Sequence, residues 1–532
     1  MAAPAGYLAL ILHAHLPYVR HPEHEEFLEE DWLYEAITET YLPLLDALHR
    51  LADDGVPFAL TISLTPPLCH MLRDPLLQER YTRQLDRSLA LVESELHRTR
   101  DDAALGEVVR LYHDRLTRAR QAWEERWRRD LVGAFAVLEE RGIIEIITCA
   151  ATHGFLPLME EFPEAVHAQI RIAREHHREI FGRDPRGIWL PECAYFCGLE
   201  SFLAEEEIRW FVLDAHGLVF GTPRPQYAIY APVFTPAGPA VFGRDRESSR
   251  QVWSAEVGYP GDPAYRDFYR DIGFDLSQEY MRPFLGPDGR QKFTGLKYHR
   301  ITGRGPAAKE IYNRAWAMAA VEAHSSHFMA QRAQQIAQLR ELMDVPPIIV
   351  APFDAELFGH WWFEGVEWLE LFIRKAAYDQ AEFTFTTPSR YLAQNQTLQL
   401  VAPGTSSWGN HGYWEVWLDE SNQWIYPHLH AAARRMTELA RIYIRREKLP
   451  PLVDRALAQM ARELLLAQAS DWAFLMKTGT ARNYATRRTK QHVLRFTRLY
   501  DQVLAEFVDE QFLEDSEWRD NIFPNLDWRV YA

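Results

Sequence analysis

The chain has 532 residues, which is enough for one large domain and one or two smaller ones. Its hydrophobic content of 47% and charged content of 25% are typical of a soluble globular protein. The net charge of −17 argues against nucleic acid and anionic membrane surfaces as partners, because both are negatively charged, and favours a neutral or cationic partner.

We expect no targeting segment at the start of the given sequence. Its first apolar run, residues 7–12, follows no charged stretch and is too short for a signal peptide or a membrane span. The four cysteines lack the grouping of a metal site and are expected to be free thiols in a reducing compartment. We therefore expect a cytoplasmic protein.

The run at residues 7–12 has the continuous apolar character of a parallel strand buried on both faces. It leads into His13-Ala14-His15-Leu16-Pro17-Tyr18, where two histidines two residues apart point the same way in an extended chain. Such a pair can contact a substrate or bind a metal. A metal would need further ligands, and the sequence has no HxxxH or HExxH motif to supply them, so a substrate contact is favoured.

A helix is predicted at residues 31–51 and a second strand at 57–63. Residues 72–141 then differ in kind, because they are dense in Arg, Glu and Leu, with apolar residues three and four apart and almost no Gly or Pro. Acidic and basic residues are interleaved there, which favours a solvated helical face over a nucleic-acid-binding one. We predict a helical subdomain inserted into a strand–helix alternation.

Strands and helices alternate again after this insertion, and polar residues repeatedly follow the strand ends. In total, seven short strands are predicted. This pattern indicates a parallel sheet, closed or nearly closed, with a functional site at the carboxyl ends of the strands. The later predicted strands lie at residues 143–147, 188–190, 210–213, 348–350 and 383–386.

Three further segments have distinct compositions. Residues 220–305 are rich in Pro, Gly and aromatic residues, and are predicted to form a long loop that serves as a lid or groove wall. Residues 405–419 are rich in Trp and Gly. Residues 424–512 are helical in pattern, with breaks near residues 449–451 and 477–479, which indicates a C-terminal helical domain.

Two carboxylates follow predicted strands after a proline. Glu192 comes after the strand at 188–190, and Asp354 comes after the strand at 348–350. Retaining cleavage of a glycosidic bond needs such a pair, one as nucleophile and one as acid/base. Glu356 is a rival for Asp354, and a capping or surface role is the alternative for Glu192. The 17 Trp and 23 Tyr residues also suit the stacking of sugar rings.

Four motifs stand out along the chain: His13-Ala14-His15-Leu16-Pro17-Tyr18, Thr152-His153-Gly154-Phe155, Trp189-Leu190-Pro191-Glu192-Cys193-Ala194-Tyr195 and Pro352-Phe353-Asp354-Ala355-Glu356-Leu357-Phe358-Gly359-His360. In this order they resemble the motifs of glycoside hydrolase family 57, and the resemblance spans nearly the whole chain. Within that family, Ser407-Trp408-Gly409, and Ser470-Asp471-Trp472 followed by Thr478-Gly479-Thr480, are most similar to 1,4-α-glucan branching enzymes.

The resemblance implies an α/β fold, an incomplete (β/α)7 barrel with an inserted helical subdomain and a C-terminal helical domain. We place the barrel at residues 1–71 and 142–404, and the insertion at residues 72–141. The C-terminal domain, which is expected to contribute to the glucan groove, is placed at residues 405–532.

The resemblance also implies a site, with Glu192 as nucleophile, Asp354 as acid/base, and no metal or other cofactor. It implies that His13, His15 and His153 line the donor subsite and that Trp408 and Asp471 contact the glucan. Weaker candidates for the groove, which no spacing argument fixes, are Arg266, Trp32, Trp361 and Trp417.

The implied activity is that of a 1,4-α-glucan branching enzyme, which cleaves an α-1,4 linkage and transfers the chain to a 6-hydroxyl, as in glycogen-type polymer synthesis. The expected partner is an α-glucan, and the expected state is a monomer or weak homo-oligomer. Three alternatives stay open: a 4-α-glucanotransferase or α-amylase with the same carboxylates, a glucan-binding protein with an inactive site, and a metal-dependent deacetylase that uses His13, His15 and an Asp.

Overall fold

The structure is a computed structural model, and it describes residues 5–254, 256–287, 289–302 and 309–532. Nine strands form its sheet. In chain order they are β1 (Gly6–Ala14), β2 (Leu60–Leu64), β3 (Ile144–Cys149), β4 (Gly187–Trp189), β5 (Trp210–Leu213), β6 (Val233–Phe234), β7 (Ala240–Gly243), β8 (Ile348–Asp354) and β9 (Phe383–Phe385).

Seven of the eight parallel strands form a barrel, in the order β7-β5-β4-β3-β2-β1-β8. A parallel bridge between Arg244, directly after β7, and Val350 of β8 brings the two ends of this order together. Among the described residues, β7 and β8 form no ladder and their ends meet only at this single bridge. The barrel is therefore incomplete. The predicted fold class, an incomplete (β/α)7 barrel, is confirmed.

All seven predicted strands exist, but one of them is not part of the barrel ring. The strand predicted at residues 383–386 exists as β9, but it pairs only with the first residues of β1 and lies outside the ring. The true seventh strand, β7, lies inside the segment predicted as a loop, where it pairs with β6 as an antiparallel hairpin. Strands of two and four residues among Pro and Gly carry too little periodicity to be recognised.

Strand β8 is longer than predicted because it continues through Pro352 to Asp354. The nitrogen of Pro352 faces the β7 side of β8. Beyond the bridge at Val350, no strand pairs with that side of β8 among the described residues. Pro352 has no backbone N–H, and at this position no strand hydrogen bond is lost by its absence. As a result Asp354 stands at the very end of a strand.

One set of helices packs around the barrel, and a second set lies in the chain segment between β2 and β3. The predicted helix at residues 31–51 is three consecutive pieces, of which the middle one, Ile37–Tyr41, is a π-helix. The barrel helices are Asp31–Ala36, Leu42–Asp53, Pro163–Phe181, Leu199–Glu205, Ala215–Val219, Arg246–Trp253, Ile272–Asp275, Gln278–Met281, Arg314–Leu342, Gly365–Tyr378 and Pro388–Gln394.

Between β2 and β3 the chain is helical, with the π-helix Ala122–Arg126 in its course. Asp74 begins the longest of these helices, because its carboxylate accepts hydrogen bonds from the backbone N–H groups of Leu76 and Leu77. The domain boundaries given above stay predictions. The helices of this segment are Pro66–Arg73, Pro75–Arg98, Ala103–Gln121 and Leu131–Glu140.

The last part of the chain is a bundle of helices. One helix begins at Pro451 and another ends at Gly479, which adopts the left-handed conformation that a helix end favours. The bundle contacts the barrel where the backbone N–H of Ser470 donates to the carbonyl of His153, 2.9 Å away. Its helices are Tyr426–Tyr443, Pro451–Ala467, Ser470–Thr478, Arg482–Leu504 and Glu510–Arg519.

None of the helices in the described ranges is long and apolar enough to cross a bilayer.

Candidate active site

Polar side chains gather at the carboxyl ends of the parallel strands. His13 and Asp354 are direct register partners on β1 and β8, and Glu192 follows β4 in a 3₁₀ turn. In barrels this edge of the sheet carries the catalytic groups. The sequence patterns at three separate strand ends therefore meet at one site.

The carboxylate of Glu192 is held on both oxygens. Its Oε2 accepts a hydrogen bond from the indole N–H of Trp408 at 2.8 Å, and its Oε1 accepts one from the Ser470 hydroxyl at 3.0 Å. The backbone of Glu192 has φ of 62°, a left-handed conformation that costs about 1–3 kcal/mol in a residue other than glycine. Such strain is typical of a side chain that must be aimed at one point.

Asp354 has a contrasting environment. Among the described residues, no group donates a hydrogen bond to its carboxylate. Burial raises the pKa of Asp354 well above its ordinary value, the charges of Glu356 and Glu192 raise it further, and Arg244 opposes them. Burial also raises the pKa of Glu192, but there the hydrogen bonds from Trp408 and Ser470 favour the anion. This difference suits Asp354 to proton donation and Glu192 to attack.

Glu356, the rival carboxylate, has structural partners. It accepts hydrogen bonds from the hydroxyl of Tyr41 and from the backbone N–H of His15, the latter at 3.1 Å. Burial raises the pKa of Glu356 to about 7, against the opposing hydrogen bond from Tyr41. Both bonds end on Oε1, so this oxygen joins the residue after β1 to the π-helix.

The three predicted histidines stack on one another, with the rings of His15 and His153 centred 3.9 Å apart. The register of β1 against β2 sets two side-chain pairs, His13 Nδ1 with Ser63 Oγ at 3.1 Å and His15 Nδ1 with Thr65 Oγ1 at 3.0 Å. Burial lowers the pKa of His13 and of His153 well below 6.5, so both rings are neutral at neutral pH.

These imidazoles also form two groups whose donor atoms could hold a metal ion. His15, His153 and Asp471 form one, with ligand atoms within 4.8 Å of one another, and His13, Cys149 and His153 form the other. His15 Nε2 lies 3.1 Å from Asp471, and His13 Nε2 lies 3.1 Å from His153 Nε2. Hydrogen bonds account for both contacts, and the absence of a metal requirement stays a prediction.

Trp408 and Asp471, the two predicted glucan contacts, lie at this site. Trp408 contacts Glu192 as described, and its ring packs edge-on against Trp189 at 4.9 Å. Asp471 pairs with His15, and its side chain is 14% exposed. The structure therefore brings both together with the histidines and Glu192.

Two of the weaker candidates lie in the interior, and the prediction of a groove contact is wrong for them. The Arg266 side chain is fully buried, where it pairs with Glu39 at 3.3 Å. The Trp417 ring is buried and stacks on Phe155 at 4.5 Å. Neither side chain can reach a glucan in this structure.

The two other weak candidates lie at least partly at the surface. Trp361 is 52% exposed and stacks on Phe268 at 4.2 Å. Trp32 is partly buried, edge-on to Tyr484. Their glucan contacts stay predictions.

Sequence reasoning missed two residues at the site. Ser470 bonds both to Glu192 and to His153 Nδ1, the latter at 2.8 Å. Its position beside Asp471 in a motif could have indicated it. Arg244 contacts the face of Trp408, but its strand β7 was not predicted, so no pattern pointed to it.

Known proteins resemble the chain over its whole length. The sequence profile of glycosyl hydrolase family 57 matches residues 9–346, and a profile of the 1,4-alpha-glucan branching enzyme C-terminal region matches residues 428–531. A 1,4-alpha-glucan branching enzyme of Thermococcus kodakarensis is 35% identical over 560 aligned positions, which cover 97% of this chain and 77% of that protein.

Two solved structures are also similar. The alpha-amylase AmyC from Thermotoga maritima has a TM-score of 0.92 and 44% identity, with 99% of each chain covered. A GH57-type branching enzyme from Pyrococcus horikoshii has a TM-score of 0.88 and 35% identity, with 99% of this chain and 97% of that chain covered. The resemblance drawn from four motifs is confirmed, and the chain belongs to glycosyl hydrolase family 57.

Proposed function

We propose that the protein is a 1,4-α-glucan branching enzyme that works by retaining double displacement. The observation that carries the proposal is the contrast between two carboxyls at one barrel edge. Glu192 is held as an acceptor by two hydrogen-bond donors, whereas Asp354 is partly buried, receives no hydrogen bond from the described residues and interacts with the charge of Glu192. Glycosidic cleavage with retention uses one ionised and one protonated carboxyl.

In the first step, Glu192 attacks the anomeric carbon of an α-1,4 linkage while Asp354 donates its proton to the leaving 4-oxygen. A covalent glycosyl–Glu192 intermediate forms. In the second step, Asp354, now a base, takes the proton of a 6-hydroxyl on an acceptor glucan. That oxygen attacks the anomeric carbon, which releases Glu192. Two inversions leave an α-1,6 branch.

We propose that the glucan is bound on the donor side by the stacked histidines, Trp408 and Asp471. The ring nitrogens of His13 and His153 are bonded to Ser63, to Ser470 and to each other, so these neutral imidazoles would serve the glucan as uncharged ring surfaces. Trp361 and Trp32 are proposed to contact the chain further out. The histidines belong to the predicted barrel, residues 1–71 and 142–404, and Trp408 and Asp471 belong to the predicted C-terminal domain, residues 405–532. We therefore propose that the glucan groove lies between these two parts.

Transfer to a glucan instead of water requires that water be kept from the intermediate. Trp408, Trp253 and Trp189 form a group of rings beside Glu192, with Trp253 6.1 Å and Trp189 4.9 Å from Trp408. This apolar cover, and the match of residues 428–531 to the C-terminal region of branching enzymes, support transfer.

Hydrolysis is the second candidate function, since the structure named as an α-amylase is 44% identical to this chain. Incubation of the purified protein with amylose, followed by proton NMR, separates the two functions. Branching predicts a growing α-1,6 signal with few new reducing ends, and Glu192→Gln should abolish it. Reducing ends without α-1,6 linkages would reject branching and leave an amylase.

We further propose that the product is a glycogen-type polymer and that the enzyme acts in the cytoplasm as a monomer or weak homo-oligomer. The four free thiols support a reducing compartment. The net charge of −17 supports a neutral glucan as partner over nucleic acid.

A further inference from the structure

Arg244 joins parts of the site that come from three separate stretches of the chain. Its side chain is 13% exposed. Its Nε donates to the hydroxyl of Ser249 at 2.8 Å, and its Nη1 donates to Asp214 Oδ2 at 3.3 Å. The planar guanidinium is thereby fixed in one orientation.

The fixed guanidinium faces Trp408, with its carbon 5.2 Å from the ring centroid. A cation at this distance from an indole face is attracted to the ring. The same indole donates its N–H to Glu192 Oε2 at 2.8 Å. Arg244 therefore contacts the group that holds the candidate nucleophile.

Asp214 anchors the segment that carries Trp408 from a second side. His216 Nδ1 lies 2.9 Å from Asp214 Oδ1, and His216 Nε2 lies 2.9 Å from the carbonyl oxygen of Gly412. The Asp214 carboxylate thus contacts Arg244, which faces the Trp408 ring, and through His216 it is linked to the backbone of Gly412. Residues 408–412 are held at both ends.

Arg244 also lies close to the candidate acid/base. Its backbone bridges Val350 on β8, four residues before Asp354. Its charge lowers the pKa of Asp354, against burial and the charges of Glu356 and Glu192. Three other polar groups adjoin Asp354: His13, its register partner on β1, and Tyr41 and Cys193, which interact with its charge.

We propose that Arg244 is a positioning residue of the reaction, which holds the Trp408 indole against Glu192 and sets a fixed positive charge beside Asp354. The proposal rests on the proposed function in that both carboxylates must take part in glycosidic cleavage. It does not depend on whether water or a glucan accepts the glycosyl group.

The test is the pH profile of kcat/KM for Arg244→Gln and Arg244→Lys. Activity is measured as the decrease in absorbance of the amylose–iodine complex, which both branching and hydrolysis cause. Without the positive charge the pKa of Asp354 rises, so Asp354 stays protonated to higher pH. The basic limb of the Arg244→Gln profile should move to higher pH, and the maximum should fall about two- to thirtyfold, as expected for a lost cation–π contact.

The charge-retaining variant Arg244→Lys should keep the basic limb at the wild-type pH and recover part of the rate. Arg246→Gln is the matched control, because Arg246 is two residues away, 70% exposed and 3.9 Å from the same Asp214. It should leave both limbs unmoved. If Arg244→Gln fails to fold, Arg244→Met takes its place, with the same expected shift of the basic limb to higher pH.

A merely structural role would lower the rate of Arg244→Gln at every pH and leave the limbs in place, and this result would overturn the proposal. A displaced basic limb in Arg244→Lys, or an equal displacement in Arg246→Gln, would overturn it as well. Failure of the proposed function is distinguishable, because it would appear as wild-type protein that does not consume amylose at all.

Discussion

Replacing Trp408 with phenylalanine tests how the structure keeps Glu192 ready to attack. The variant retains an aromatic ring beside Trp189 but loses the N–H that lies 2.8 Å from Glu192 Oε2. A hydrogen bond to a charged group is worth about 1.5–3 kcal/mol. This bond favours the Glu192 anion and so lowers the pKa of Glu192, whereas burial raises it.

Loss of the bond therefore raises the pKa of Glu192, and the acidic limb of the pH profile of kcat/KM should move to higher pH. Below the limb, activity is proportional to the ionised fraction of Glu192. The lost 1.5–3 kcal/mol corresponds there to a decrease of about 10- to 150-fold, with a smaller decrease at the optimum.

The assay is amylose consumption from acidic to neutral pH. Trp368→Phe serves as control, since Trp368 is buried and its indole N–H has no hydrogen-bond partner among the described residues. An acidic limb that stays in place in Trp408→Phe, or moves equally in Trp368→Phe, would refute the reasoning.

Three other changes have defined outcomes. Ser470→Ala removes the 3.0 Å donor to Glu192 and should lower kcat about tenfold with little change in KM; an unchanged kcat would remove Ser470 from the site. Activity should survive exhaustive chelation, and its loss, restored by a transition metal, would assign a metal to the His15, His153 and Asp471 group. Arg266→Met removes the partner of one oxygen of buried Glu39, whose other oxygen still contacts His360 Nδ1 at 2.6 Å, so the free energy of unfolding from urea denaturation at pH 7 should fall by about 1–3 kcal/mol. Unaltered stability with weaker glucan binding would instead return Arg266 to the groove.

The sequence could predict the parts of the fold that repeat a pattern. Apolar runs of five or more residues, such as the one within Gly6–Ala14, can be recognised because burial on both faces leaves no polar position. Strand β7 could not be recognised, since the four residues Ala240–Gly243 lie in a segment whose Pro and Gly content predicts a loop. The path of the ring therefore had to come from the structure.

For the candidate site the limit was long-range contact. The positions of Glu192 and Asp354 at strand ends could be read from an apolar run, a proline and a carboxylate. The hydrogen bonds that distinguish the two carboxylates come from Trp408 and Ser470, more than 200 residues after Glu192. Composition alone also gave no means of separating a buried tryptophan such as Trp417 from an exposed one.

The central claim is that Glu192 and Asp354 have different roles in one double displacement, and azide rescue tests it most directly. Each residue is replaced with alanine, and the variants are incubated with an activated aryl α-maltooligosaccharide and sodium azide. In Glu192→Ala, azide replaces the nucleophile and attacks once, so we predict a β-glycosyl azide. In Asp354→Ala, azide attacks the intermediate on Glu192, so we predict an α-glycosyl azide. The opposite pair of configurations, or rescue of neither variant, would contradict the assignment.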